Sequence, residues 1–242
     1  MERAETQELE RNMMKQARHY DAFPKGVRLM AQVISILFHP LLMLLYAFLI
    51  LAWSNPFLFG EISFQRVFTN KVNSLLFIWL TIFSFAVPML TVFMMRGLNL
   101  VSDITLPQRT ERIGPYIIVG LLYIIIFVNF NNNPTIPSEL RIFSLGATIA
   151  LFMAFFINLF SKISMHTVAM GGFLAMVLIA IARSYAHNEY VFILAVMACG
   201  LVGTARMILG AHEPADIYGG YFIGFLSQFV ALNFLYVPPM SI

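Results

Sequence analysis

Seven runs of about twenty mostly apolar residues, each cut from the next by a short polar or Pro/Gly-bearing stretch, leave this chain few ways to fold. Inside hydrocarbon every backbone N–H and C=O must find a partner within the chain, and a helix does this within one segment. The runs cover roughly 28–53, 72–95, 113–130, 139–161, 165–184, 190–210 and 215–236, separated by stretches such as "RGLNLVSDITLPQRTER", "NNNPTIPSE" and "SKIS". The fold expected is therefore all-α, a polytopic transmembrane bundle of about seven spans, with six as the other count. Composition removes the soluble alternatives, since 60% of the 242 residues are hydrophobic and 11% charged. The net charge of +3 is small and its cations form no aromatic-interleaved stripe, which argues against a nucleic-acid partner. The single cysteine, Cys199, lies in an apolar run and reads as a small hydrophobe. Residues 1–26 form a polar tail, too evenly mixed in acids and bases for a secretion signal; it reads as a surface helix or solvated arm. Residues 27–242 are expected to form one domain.

In so apolar a chain, ionisable groups at span ends are functional candidates. A seven-span path puts the tail, the loop 96–112, the turn 161–164 and the joint 210–214 on one side of the membrane. These places hold Arg109 with Arg112, Lys162 with Ser164 and His166, and Arg206 with His212 and Asp216. Four cations, two histidines and a carboxylate at one bundle end make an oxyanion site, and phosphate is its natural guest. The stretch "GTARMILGAHEPADIYGG", residues 203–220, carries the sharpest chemistry. If Pro214 opens the last helix, His212 and Asp216 lie four apart on one face, where the carboxylate accepts one imidazole N–H and leaves the other nitrogen as a nucleophile. Arg206 stands six residues before His212, about 600° away on an unbroken helix, so the chain must bend between them. Gly210 and Pro214 bracket that bend.

Plainer readings stand beside these. Arg109 and Arg112 also suit headgroup anchors, and Lys162 a snorkelling side chain. His39, before Pro40, reads as a satisfied polar group at a kink. Glu213 either tunes His212 or faces water. Gly171-Gly172 and the Gly220–Gly224 pair read as close helix packing.

"ARMILGAHEPAD" resembles the third signature of the type 2 phosphatidic acid phosphatase superfamily: Ser-Arg, five residues, His, three residues, Asp. "KISMH", residues 162–166, is similar to a degenerate second signature, Pro-Ser-Gly-His, and "RTERIGP", residues 109–115, to a weak first one. The resemblance covers about 96–236 and leaves out the first span and the tail. It implies metal-independent, cofactor-free phosphoryl transfer from a phosphorylated lipid through a phosphohistidine. His212 would attack phosphorus, Asp216 would orient it, and His166 would protonate the leaving oxygen. Arg206, Arg112 and the amides near Ser164 and His166 would bind phosphate oxygens, with Lys162 or Arg109 replacing a missing lysine. The chain departs from the pattern at Thr105, which stands where that lysine would be, at Ile163 and Met165, and at Ala205. These departures keep open a member that binds a phosphorylated lipid without turnover.

A transporter is the alternative from another class, although its charges would belong near the bilayer midplane. An intramembrane prenyltransferase would need clustered Asp residues, and Asp21, Asp103 and Asp216 are far apart. Eleven basic residues fall on the site's side of the membrane and four on the other, a bias that points to the cytoplasm. The resemblance implies the outer face of a bacterial plasma (inner) membrane, and that face is the one adopted as the expectation. Neither the oligomeric state nor the particular lipid is encoded in these patterns.

Overall fold

A computed structural model describes residues 22–103, 106, 110–183 and 189–235. The tail to residue 21, Arg109 and its neighbours, His187 and the last seven residues lie outside the described part. Among the described residues every regular element is helical. Seven helical stretches are long and apolar enough to cross a membrane: Lys25–Ser54, Lys71–Gly97, Thr110–Asn131, Ser138–Phe160, Met165–Arg183, Glu189–Ile208 and Pro214–Leu235. The expected bundle is present, with boundaries within a few residues of those read from hydropathy.

The first stretch is broken. Helix α1 (Lys25–Leu37) ends at the His39-Pro40 step, a 3₁₀ turn occupies Pro40–Leu42, and α2 (Met43–Ser54) continues. Proline has no amide to give to Ile36, so the His39 amide bonds the Ile36 carbonyl at 3.3 Å instead. After a short helix α3 (Phe64–Thr69), the second stretch comprises α4 (Lys71–Leu80), a π-helical turn (Thr81–Ala86) and α5 (Val87–Gly97). Pro88 is the cause of the wider turn, because it cannot donate to the Ser84 carbonyl. The Ser84 hydroxyl bonds back to the Leu80 carbonyl at 2.8 Å. Then come α6 (Ile113–Asn131), α7 (Ser138–Phe160), α8 (Met165–Arg183), α9 (Glu189–Ile208) and α10 (Pro214–Leu235).

Helices in lipid gain little from burying leucine against leucine, so close approach through small residues drives their association. Helices α8 and α10 show this. A Cβ on Gly224 would overlap the Val168 carbonyl, one on Gly171 the Tyr221 backbone, and one on Gly220 the Thr167 hydroxyl. The paired glycines are packing residues, as their spacing indicated. Outward faces remain apolar: Phe222 is 66% exposed and Leu121 56%, surfaces that suit lipid chains. At the bundle end opposite the site, Arg183 Nε sits 3.4 Å from Glu139 Oε1 and ties the end of α8 to the start of α7.

Candidate active site

The tight α8–α10 contact carries the beginnings of both helices to one place. The turn after α7 is extended at Ser161, and Ile163 and Ser164 are buried. The Ser164 amide donates to the Asp216 carbonyl at 3.3 Å, a backbone bond joining the two helix starts. Val168 N–H and the Thr167 hydroxyl both bond the Ser164 carbonyl at 3.0 Å and begin α8. His166, on the first turn of α8, is thereby set beside the joint that carries His212.

That joint folds as its glycine and proline dictate. Gly210 adopts φ 62°, its amide bonds the Met207 carbonyl at 2.9 Å, and the Ala211 amide bonds the Arg206 carbonyl at 3.2 Å. This is the Schellman ending of a helix, and a left-handed residue there favours glycine. Helix α10 then opens at Pro214. The Asp216 carboxylate reaches back to the Glu213 amide (Oδ2, 3.2 Å), the reciprocal half of a capping box. The same oxygen accepts the His212 Nδ1–H at 3.3 Å. One carboxylate, pinned by a backbone amide at a helix start, therefore holds the imidazole in the tautomer that leaves Nε2 with its lone pair.

The electrostatics suit that tautomer. The His212 side chain is 5% exposed and that of Asp216 14%. Burial pushes the His212 imidazole down to about 3, and the charges of Arg206, Arg112 and Lys162 press it the same way. His212 is thus neutral at ordinary pH, in a neighbourhood where three cations await an anion. Two buried polar atoms here have no protein partner, Arg206 Nε and Ser164 Oγ. Leaving a buried donor unmade is costly, and an oxyanion would satisfy both groups.

The structure brings together His166, His212, Asp216, Ser164, Arg206, Arg112 and Lys162; Arg109 falls outside the described residues. Two expectations change in detail. The Ser164 amide is committed to the Asp216 carbonyl, so Ser164 has its hydroxyl to offer and not its N–H. Arg112 Nε donates to the Leu106 carbonyl at 2.8 Å, which leaves its terminal nitrogens for a ligand. Two residues of the first span were missed. His166 Nε2–H donates to the Ser35 carbonyl at 3.1 Å, Arg206 Nη1 donates to the Ser35 hydroxyl at 3.3 Å, and the His39 ring meets His166 edge-on with centroids 5.6 Å apart. His39-Pro40 was the available signal: a polar residue at a kink, with nothing local to say which helix it would face. Among the described residues no three metal-ligating side chains cluster.

Fold and site together define a polytopic helical membrane protein with a His–Asp pair and converging cations at one end of its bundle. Residues 147–237, which carry His166, Arg206, His212 and Asp216, match the family model of the PAP2 superfamily, in line with the resemblance to type 2 phosphatidic acid phosphatases. The match points to phosphatase-type chemistry. No curated protein and no solved structure matches the chain.

Proposed function

We propose that this protein is a metal-independent phosphatase that removes phosphate from a phosphorylated membrane lipid through a phosphohistidine on His212. The observation that carries the reading is the 3.3 Å contact of His212 Nδ1 with Asp216 Oδ2, which leaves Nε2 unprotonated among three cations. Nε2 attacks phosphorus and a P–N bond forms as the P–O bond to the lipid breaks. The leaving oxygen takes a proton from His166. Arg206, Arg112, Lys162, the Ser164 hydroxyl and Arg109 neutralise the phosphate oxygens, with most of the barrier lowered by donors fixed in a water-poor place. Water then attacks phosphorus and gives a proton back to His166, the P–N bond breaks, and inorganic phosphate leaves with both histidines restored.

A lipid substrate is supported by the site's place at the end of a bundle whose outer faces are apolar, so a headgroup can arrive while its chains stay in hydrocarbon. We take the site to face outward from a bacterial plasma membrane, which labelling of single cysteines from each side, in a Cys199→Ala background, tests directly. For the activity, phosphate release is measured in chelator from phosphatidate, phosphatidylglycerophosphate, a polyprenyl diphosphate and a lipid-linked sugar phosphate. Release from at least one of them, abolished in His212→Ala, is expected. Binding of the same lipids without release by the wild type would favour the non-catalytic member instead.

A further inference from the structure

We propose that Ser35, in the first helix and far outside the matched segment, is the positioning residue of this site: its carbonyl orients His166 and its hydroxyl anchors Arg206. The proposal rests on the phosphatase reading for its kinetic consequences, but not for its geometry. Helix α1 turns Ala31 and Ser35 inward and packs on α9, while Leu29, Val33 and Ile36 remain exposed. The inward face meets the end of α9, where Arg206 stands, and the start of α8, where His166 stands.

The carbonyl is available for a reason written in the sequence. In an unbroken helix the Ser35 oxygen would accept the amide of residue 39. Pro40 has no amide for the Ile36 carbonyl, the His39 amide takes that acceptor at 3.3 Å, and the Ser35 oxygen is left to His166 Nε2–H at 3.1 Å. A backbone acceptor that a proline has released is thus spent on an imidazole 131 residues away. His39 completes the fixture. Its Nδ1 accepts the Leu41 amide at 3.3 Å, which holds the ring that meets His166 edge-on.

Two consequences follow. With Nε2 donating to Ser35 in both protonation states, the proton that His166 gives to the leaving oxygen departs from Nδ1. The N–H bond breaks at Nδ1, the O–H bond forms on the lipid, and Nε2–H stays in place. The carbonyl acts on the imidazolium more strongly than on the imidazole, as hydrogen bonds from charged donors are the stronger ones. The hydroxyl has a different task. It fixes one terminal nitrogen of Arg206, so the guanidinium keeps its remaining donors, the unpartnered Nε included, aligned for an anion. Carbonyl and hydroxyl therefore separate by parameter: one serves turnover, the other anion binding.

The test uses the full-length protein in lipid nanodiscs, with folded fraction measured for every variant. Ser35→Ala removes the hydroxyl and keeps the carbonyl: KM for the lipid found active, and the inhibition constant of orthovanadate, should both rise about 10-fold with kcat little changed, and Ser35→Thr should restore them. Pro40→Ala supplies an amide to the Ile36 carbonyl and frees the His39 amide to compete for Ser35: kcat should fall about 10-fold or more at unchanged KM. Nitrogen-15 spectra of the histidines should show His166 protonated at Nε2 in the wild type and losing that preference in Pro40→Ala. Wild-type constants in Ser35→Ala, activity lost only in step with folded protein, or an unchanged His166 tautomer in Pro40→Ala would overturn the proposal. Should the wild type release phosphate from none of the lipids, the phosphatase reading fails on its own, and vanadate affinity with the histidine spectra still decides the role of Ser35.

Discussion

The site's two histidines are held in opposite ways. His212 is oriented by Asp216, four residues on, at the mouth of its own helix, whereas His166 is oriented by a carbonyl 131 residues earlier on a helix that proline has interrupted. The first arrangement forms whenever α10 starts at Pro214. The second exists only when the first span has packed against the rest. The nucleophile's fixture is thus local and the acid's is tertiary, so damage to distant packing should reach proton delivery before it reaches attack on phosphorus.

Substitutions that break one fixture at a time sharpen this contrast. His212→Ala removes the attacking nitrogen, and phosphate release should fall by about 10⁴-fold or more, measured with the most active lipid. Asp216→Asn leaves the packing intact but removes the negative charge that holds the Nδ1–H tautomer and balances the charge His212 takes up on phosphorylation, for an expected loss in kcat of about 10²–10⁴-fold. Gly224→Ala forces α8 and α10 apart at the Val168 carbonyl and should destabilise the protein by about 1–3 kcal/mol in a denaturant titration. It also strains the Ser164–Asp216 bond and should lower kcat in the protein that remains folded. The smallest effect concerns pH. Because His212 is held at about 3, its neutral form persists as pH falls through the ordinary histidine range, so kcat/KM should show no loss from this residue near pH 6.5. Lys162→Met removes the weakest of the three depressing charges and should move the acid limb of kcat/KM toward neutral by a fraction of a pH unit.

The same local-versus-tertiary divide governs how much could be read from the residues alone. Spans are legible because bilayer thickness sets their length, and the parity of the spans sorts Arg112, Lys162, Arg206 and His212 to one end. The bend at Gly210 and Pro214 and the His212–Asp216 spacing are short-range and emerge as expected. Ser35 leaves no such mark. A serine in an apolar helix is ordinary, and the partner of its carbonyl depends on which helix packs there. Likewise, that the Ser164 amide serves the Asp216 carbonyl follows from how closely the glycines let α8 and α10 approach. A close approach is legible as a tendency, but its hydrogen-bond register is not.

The central claim is that the imidazole of His212 becomes phosphorylated. Rapid mixing with lipid labelled in its phosphate, quenching in alkali and mapping the label by peptide should find an acid-labile, alkali-stable phosphoryl group on His212, formed and lost at rates compatible with turnover in the presence of chelator. Turnover that proceeds with no label on His212, or that continues in His212→Ala, would contradict the account.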